Sequence, residues 1–132
     1  MPCLKVFILS PQQRHKLLRF TPVGRNKPIT RHAAVIIEAK YLELLRRGYE
    51  VTVGRTGDKE IDFVCDKRGE KLYVQVCYLL ASDETVNREF GAYDSIRDNF
   101  PKYVVSLDEF DMSRNGIKHR NIRDFLLAEE WN

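Results

Sequence analysis

Asp62, Gln75 and Cys77 are the residues on which chemistry could turn. Asp is depleted from strands and costly to bury unpaired, yet Asp62 stands between Ile61 and Phe63 in a run that reads as a strand. It therefore calls for a partner. If the segments on either side of Gly69 pair as a hairpin, Asp62 and Gln75 approach on one face, with Cys77 next along it. An acid, a polar residue thirteen positions on and a further position two beyond it match the spacing of a site that holds a divalent metal and activates water. The same three residues also admit a purely structural reading: a satisfied strand Asp, its Gln hydrogen-bond partner and a small apolar thiol.

Other clusters are weaker in chemistry. The cysteines Cys3, Cys65 and Cys77 and the histidines His15, His32 and His119 are scattered, without the closely spaced ligand pairs of a zinc site. Asp108-Glu109-Phe110-Asp111 lacks the Gly and terminal Glu of an EF-hand loop and reads as a solvated loop. Phe90, Tyr93 and Phe100 have core spacing, with no interleaved Arg to make a base-stacking platform. Trp131 is either docked or frayed. Nothing matches G-x-x-x-x-G-K-[ST], so ATP hydrolysis on a P-loop is excluded for this polypeptide.

Periodicity supplies the helices and strands around these residues. From the Thr30 N-cap, Ala34, Ile37, Tyr41, Leu44 and Leu45 recur at helical spacing until Gly48. The period then changes to two. Tyr49 to Val53, Glu60 to Cys65 and Lys71 to Leu80 read as a three-strand meander, with turns at residues 55–58 and 66–70. Along the second strand Ile61, Phe63 and Cys65 are expected on one face, opposite Glu60, Asp62 and Val64. A helix from Ser82 or Asp83 to Arg97, strands at Lys102 to Leu107 and Gly116 to His119, and a last helix from Asn121 to Glu129 complete the domain. This order describes an α/β fold, a mixed central sheet flanked by helices. In the first thirty residues, Lys5 to Leu9 has the character of a strand and Gln12 to Phe20 that of a basic helix.

The 132 residues suffice for one domain with a single core, and no apolar run is long enough to span a bilayer. An odd number of cysteines and the lack of a cleavage pattern after the N-terminal apolar run point to a cytoplasmic chain with free thiols. Charge is uneven. Residues 1–50 carry ten Lys/Arg against three Asp/Glu, whereas residues 51–132 carry twelve against sixteen, and the first acid is Glu38. The basic leader and the arginines Arg46, Arg47 and Arg55 are candidates for contact with nucleic acid.

The run from Tyr41 to Leu127 contains YLELLRRGYEVTVG, GDKEIDFV, GEKLYVQVCYLL, REFGAYDSIRDNFPKYVVSLDEFD and GIKHRNIRDFLL, in that order. It resembles the C-terminal domain of prokaryotic AAA-superfamily ATPases, which is similar in fold to the PD-(D/E)xK, restriction-endonuclease-like nucleases. The resemblance implies an atypical basic segment over residues 1–30 and a nuclease-like, ATPase-associated domain over residues 31–132. In active nucleases of that group a helix Glu, a strand Asp and an (E/Q)-x-K pair hold Mg²⁺ and activate water. The strand Asp carries over to Asp62, the acid-or-amide position to Gln75 and the lysine position to Cys77, which leaves the motif without its lysine. Glu38 is the nearest candidate for the helix acid, although the register from Tyr41 puts Ile37 at that place.

In function, the resemblance implies a non-catalytic accessory or interaction domain of an AAA-type ATPase, read as a fragment or truncated product without the ATPase module. Its partner would be such a module or another protein. Two alternatives stand beside it. One is a nucleic-acid-binding module with DNA as partner; the other is a Mg²⁺-dependent nuclease with a degenerate site of Asp62, Gln75 and Glu38. No cofactor is expected unless that site is active.

Overall fold

The computed structural model describes residues 5–8, 31–56 and 58–132, with side chains over 37–55 and 58–132. The expected basic helix at Gln12 to Phe20 and the Thr30 cap lie outside the described residues. Among the described residues, six strands form one sheet in sequence order: β1 (Lys5–Ile8), β2 (Glu50–Thr56), β3 (Lys59–Lys67), β4 (Glu70–Val76), β5 (Lys102–Ser106) and β6 (Lys118–Asn121). β1 to β4 pair antiparallel, whereas β4, β5 and β6 pair parallel. The fold is therefore α/β, with a mixed central sheet. Helices α1 (Arg31–Arg46), α2 (Asp83–Gly91) and α3 (Ile122–Leu127) flank it.

Alternation along the strands divides the core into two layers. On one side Leu72, Val74, Val76, Phe63 and Val105 pack with Tyr41 and Leu44 of α1, Phe125 of α3 and Trp131. On the other, Tyr73, Cys77, Val64 and Val104 pack with Val86 and Phe90 of α2 and with Tyr93. Trp131 is docked: its ring stacks on Phe125 at 4.6 Å, its Nε1 donates to the Phe125 carbonyl, and Arg47 covers it at 3.9 Å. The stacked aromatics and the guanidinium hold the C-terminus against α1.

Glycine terminates α1. Gly48, at φ +87°, lets its own N–H reach the Leu45 carbonyl and the Tyr49 N–H reach the Leu44 carbonyl, the paired bonds of a left-handed C-terminal cap. The β3–β4 connection is tighter than the loop expected at residues 66–70. Lys67 pairs with Glu70, and only Arg68 and Gly69, both at positive φ, form the turn.

Three sequence expectations are corrected. The helix expected to reach Arg97 ends at Gly91, because the N–H groups of Tyr93, Asp94 and Ile96 bond three residues back and tighten the chain into turns. The third strand ends at Val76 and not Leu80: backbone bonds to the β5 side continue only through Cys77 and Tyr78, and Leu80 N–H is taken by the Asp108 carboxylate. The second strand does not keep simple alternation. Thr52 pairs with Val64 but Gly54 with Ile61, so Asp62 and Phe63 together oppose Val53 as a β-bulge. Ile61 consequently packs in the α2 layer while Phe63 and Cys65 pack in the α1 layer.

Candidate functional site

The bulge acts on Asp62. The β3–β4 pairing runs from the Lys67–Glu70 turn only as far as Phe63 opposite Val74. At the next step side chains replace backbone: Asp62 N–H donates to Gln75 Oε1 at 2.6 Å, and Val76 N–H donates to Asp62 Oδ2 at 2.8 Å. Each side chain thus satisfies a main-chain donor on the opposing strand, which lets the strands part without stranding polar groups. The opening lies at the carboxyl ends of β4 and β5, where α/β sheets commonly admit ligands.

Two charged side chains enter this opening from opposite layers. Lys40 of α1 is fully buried and donates from Nζ to the Val105 carbonyl at 3.3 Å. Glu89 of α2 is fully buried as well; its Oε2 accepts from Gln75 Nε2 at 3.2 Å, and Arg88 approaches Oε1 at 3.5 Å. Burial pushes the Lys40 amine down to about 7, against the opposing pull of Asp62, Cys77 and Glu89. Tyr93 donates its hydroxyl proton to the Tyr103 carbonyl at 2.7 Å, and burial, with Asp62 and Glu89 nearby, holds it well above its ordinary range. The site therefore contains Asp62, Gln75, Cys77, Lys40 and Glu89.

Of the residues marked in the sequence, Asp62 and Gln75 are brought into direct contact, and Cys77 lies close enough to influence Lys40. The Cys77 thiol donates to the Leu79 carbonyl at 3.1 Å. Glu38 is exposed on α1. Arg46 and Arg47 both bind the carboxylate of Glu43, holding it down to about 2, and Arg47 also donates to the carbonyls of Leu126 and Glu129. Arg55 pairs with Glu60 across the β2–β3 ladder at 2.9 Å.

Sequence reasoning missed Lys40 and Glu89, although a signal was present. Lys40 lies in the series Ile37, Lys40, Tyr41, Leu44, and Glu89 in Val86, Glu89, Phe90, Tyr93. Both series have the i, i+3, i+4, i+7 spacing of a core-facing stripe. A charge on such a stripe must be buried or must bend the pattern.

The group does not fit a magnesium ion. Such an ion takes near-octahedral oxygen ligands. Here Asp62 Oδ2 and Gln75 Oε1 are each turned to a backbone N–H, and the buried Lys40 amine is within electrostatic reach of Asp62 and Glu89. Among the described residues, no group of three or more His, Cys, Asp or Glu side chains could hold a metal ion.

A second polar cluster surrounds His119. Met112 N–H donates to its Nδ1 at 3.1 Å, which places the ring proton on Nε2, 2.7 Å from Ser106 Oγ. Ser106 Oγ in turn donates to Asp108 Oδ2 at 2.7 Å. The proton order is therefore imidazole to hydroxyl to carboxylate, opposite to the one that activates a serine nucleophile. Asp108 is thus built into the domain, a correction to the expectation of a wholly solvated acidic loop. A cleft of about 490 Å³ lies elsewhere, at the amino end of β5, lined in part by Asp98, Phe100 and Lys102. Its Asp98 is occupied by Tyr73 and Lys102.

The chain is similar to an uncharacterised protein of Haemophilus influenzae, with 36% identity over 88 residues, covering 66% of this chain and 21% of that protein. The chain thus spans about a fifth of the length of this relative. No protein-family profile matches it, and no solved structure matches it. Among the described residues, no helix is long and apolar enough to cross a membrane.

Proposed function

We propose that this chain is a non-catalytic accessory or interaction domain with a degenerate restriction-endonuclease-like fold, serving an AAA-type ATPase as one part of a longer assembly. The observation that carries the proposal is the exchange between Asp62 and Gln75. Gln75 Oε1 and Asp62 Oδ2, two of the oxygens that would face a metal, are engaged by the Asp62 and Val76 N–H groups. Removing either side chain exposes an unmet backbone donor, so the pair has a sufficient structural reason to exist. Cys77 at the motif's lysine position is consistent with this, since a thiol bonded to a carbonyl supplies no fixed positive charge.

Coverage of about a fifth of the Haemophilus influenzae relative favours a domain that works within something larger. That Cys65 and Cys77 are thiols and not disulfide-bonded favours a cytoplasmic setting. The nucleic-acid alternative is weakened by the intramolecular partners of Arg46, Arg47 and Arg55. The test is incubation of the chain with plasmid DNA and Mg²⁺ or Mn²⁺, beside Asp62→Ala. Intact plasmid in both samples agrees with the proposal, and cleavage that Asp62→Ala abolishes overturns it.

A further inference from the structure

We infer that His119 works as a proton-operated latch: the neutral ring holds the β5–β6 loop across the outer edge of β6, and a proton at Nδ1 releases that loop. The inference does not depend on the accessory-domain reading.

The loop of residues 107–117 leaves β5 after Ser106 and re-enters the sheet at Lys118. Its contacts converge on one buried side chain. His119 is 1% exposed, and both ring nitrogens are engaged: Nδ1 accepts from Met112 N–H at 3.1 Å, and Nε2 lies 2.7 Å from Ser106 Oγ. The backbone of the same residue is held as well, His119 N–H donating to Ser113 Oγ at 2.8 Å. β6 is the last strand of the described sheet, so a β6 donor that is not bonded to β5 stands on the open edge. Unpaired edge donors invite pairing with another chain, and the loop blunts this one.

The neutral ring offers one acceptor nitrogen, and Met112 N–H uses it. A proton there sets N–H against N–H, so the bond that fixes residue 112 cannot survive it. The charged groups around the ring divide. Burial, the largest influence, and Arg120 of β6 favour the neutral form, whereas Asp108, Asp111 and the Phe110 carbonyl of the loop favour the charged one. In the layer against α2, Glu89 is bound by Gln75 and Arg88, the Cys77 thiol is bonded to the Leu79 carbonyl, and burial keeps Tyr73 and Tyr93 protonated. The loop thus supplies an N–H donor to the neutral ring and oxygen acceptors to the protonated one. Two arrangements follow, and one proton selects between them.

The test is amide hydrogen exchange by NMR on the full chain from about pH 7.5 downward, with the His119 imidazole titration followed in the same samples. After correction for the intrinsic exchange rate, protection of the Met112 and His119 amides is expected to fall by up to about tenfold per pH unit below the ordinary 6.5, in step with the imidazole. The amides of Phe63 and Val74 in the sheet should keep theirs. Met112 protection that stays constant across the imidazole titration overturns the inference. A loss shared equally by Phe63 and Val74 also overturns it, since that is global unfolding and not a latch. His119→Asn offers an amide oxygen near the Nδ1 position without a titrating group, so its Met112 amide should stay protected where the wild-type latch opens. Loss of that protection with the wild-type pH dependence overturns the inference. If the variant does not fold, the comparison of Met112 with Val74 in wild type decides alone.

Discussion

Asp62 and Gln75 bind across the parted ends of β3 and β4, with Asp62 N–H 2.6 Å from Gln75 Oε1, while the Asp62 carboxylate returns to the N–H of Val76, the residue after Gln75. This exchange replaces a rung of backbone ladder with two side-chain bonds. It also fixes the side chains that would otherwise be free to meet a metal.

Loss of Gln75 should therefore be a stability defect. Gln75→Ala removes the acceptor for Asp62 N–H and the donor to buried Glu89. Unmet buried polar groups cost about 1–3 kcal/mol each, so urea denaturation should show a loss of at least about 2 kcal/mol with an unchanged m-value. Gln75→Glu should also destabilise, because it adds an acid beside Glu89.

Lys40 predicts a specific pH dependence. Its amine loses its proton at about 7 in the folded chain, against 10.5 for an ordinary lysine. Between those values the unfolded chain holds the proton that the folded chain has lost, so this group makes stability rise with pH. The slope contribution approaches about 1.4 kcal/mol per pH unit within that window. Chemical denaturation from pH 7 to 10 should show it in wild type, and Lys40→Met should lack it.

Lys40 and Glu89 should also be energetically coupled. Lys40→Met leaves the Glu89 carboxylate in the core without this cation, at a cost of about 3–5 kcal/mol. In the double variant Lys40→Met with Glu89→Leu, both charges are gone. Its loss of stability should be smaller than the sum of the two single losses by at least about 1 kcal/mol, as a double-mutant cycle would measure.

His119 predicts the opposite end of the pH range. Burial lowers its value below the ordinary 6.5, partly offset by Asp108 and Asp111, and its Nδ1 accepts from Met112 N–H. The folded chain therefore resists a proton that the unfolded chain accepts near 6.5. The stability contributed by neutral His119 is complete above that value and declines as pH falls through it. His119→Gln should flatten the part of the pH–stability curve below about 6.5, read by thermal melts.

The layer order of the domain was legible in the sequence. Helical spacing from Ile37 to Leu45, then alternation through three strands, correctly places a helix before a meander. The face of Ile61 was not legible, because the β3 bulge depends on how Thr52 and Gly54 of another strand pair with it. Asp62 and Gln75 could be matched through the intervening turn, which is local. Lys40 and Glu89 could not, since they come within electrostatic reach of one another only when α1 and α2 settle on opposite faces of a finished sheet. Their stripe positions marked them as anomalous, but neither series shows what the other contains. His119 was hidden for the same reason: Ser106 and Asp108 reach it only through the parallel pairing of β5 with β6.

If the Asp62–Gln75 pair is structural and does not cleave nucleic acid, the rate of plasmid nicking by the purified chain in Mn²⁺ should be no higher than that of Asp62→Ala. The same background rate is expected for both. Nicking by wild type that rises with protein concentration and disappears in a folded Asp62→Ala variant would contradict a purely structural role.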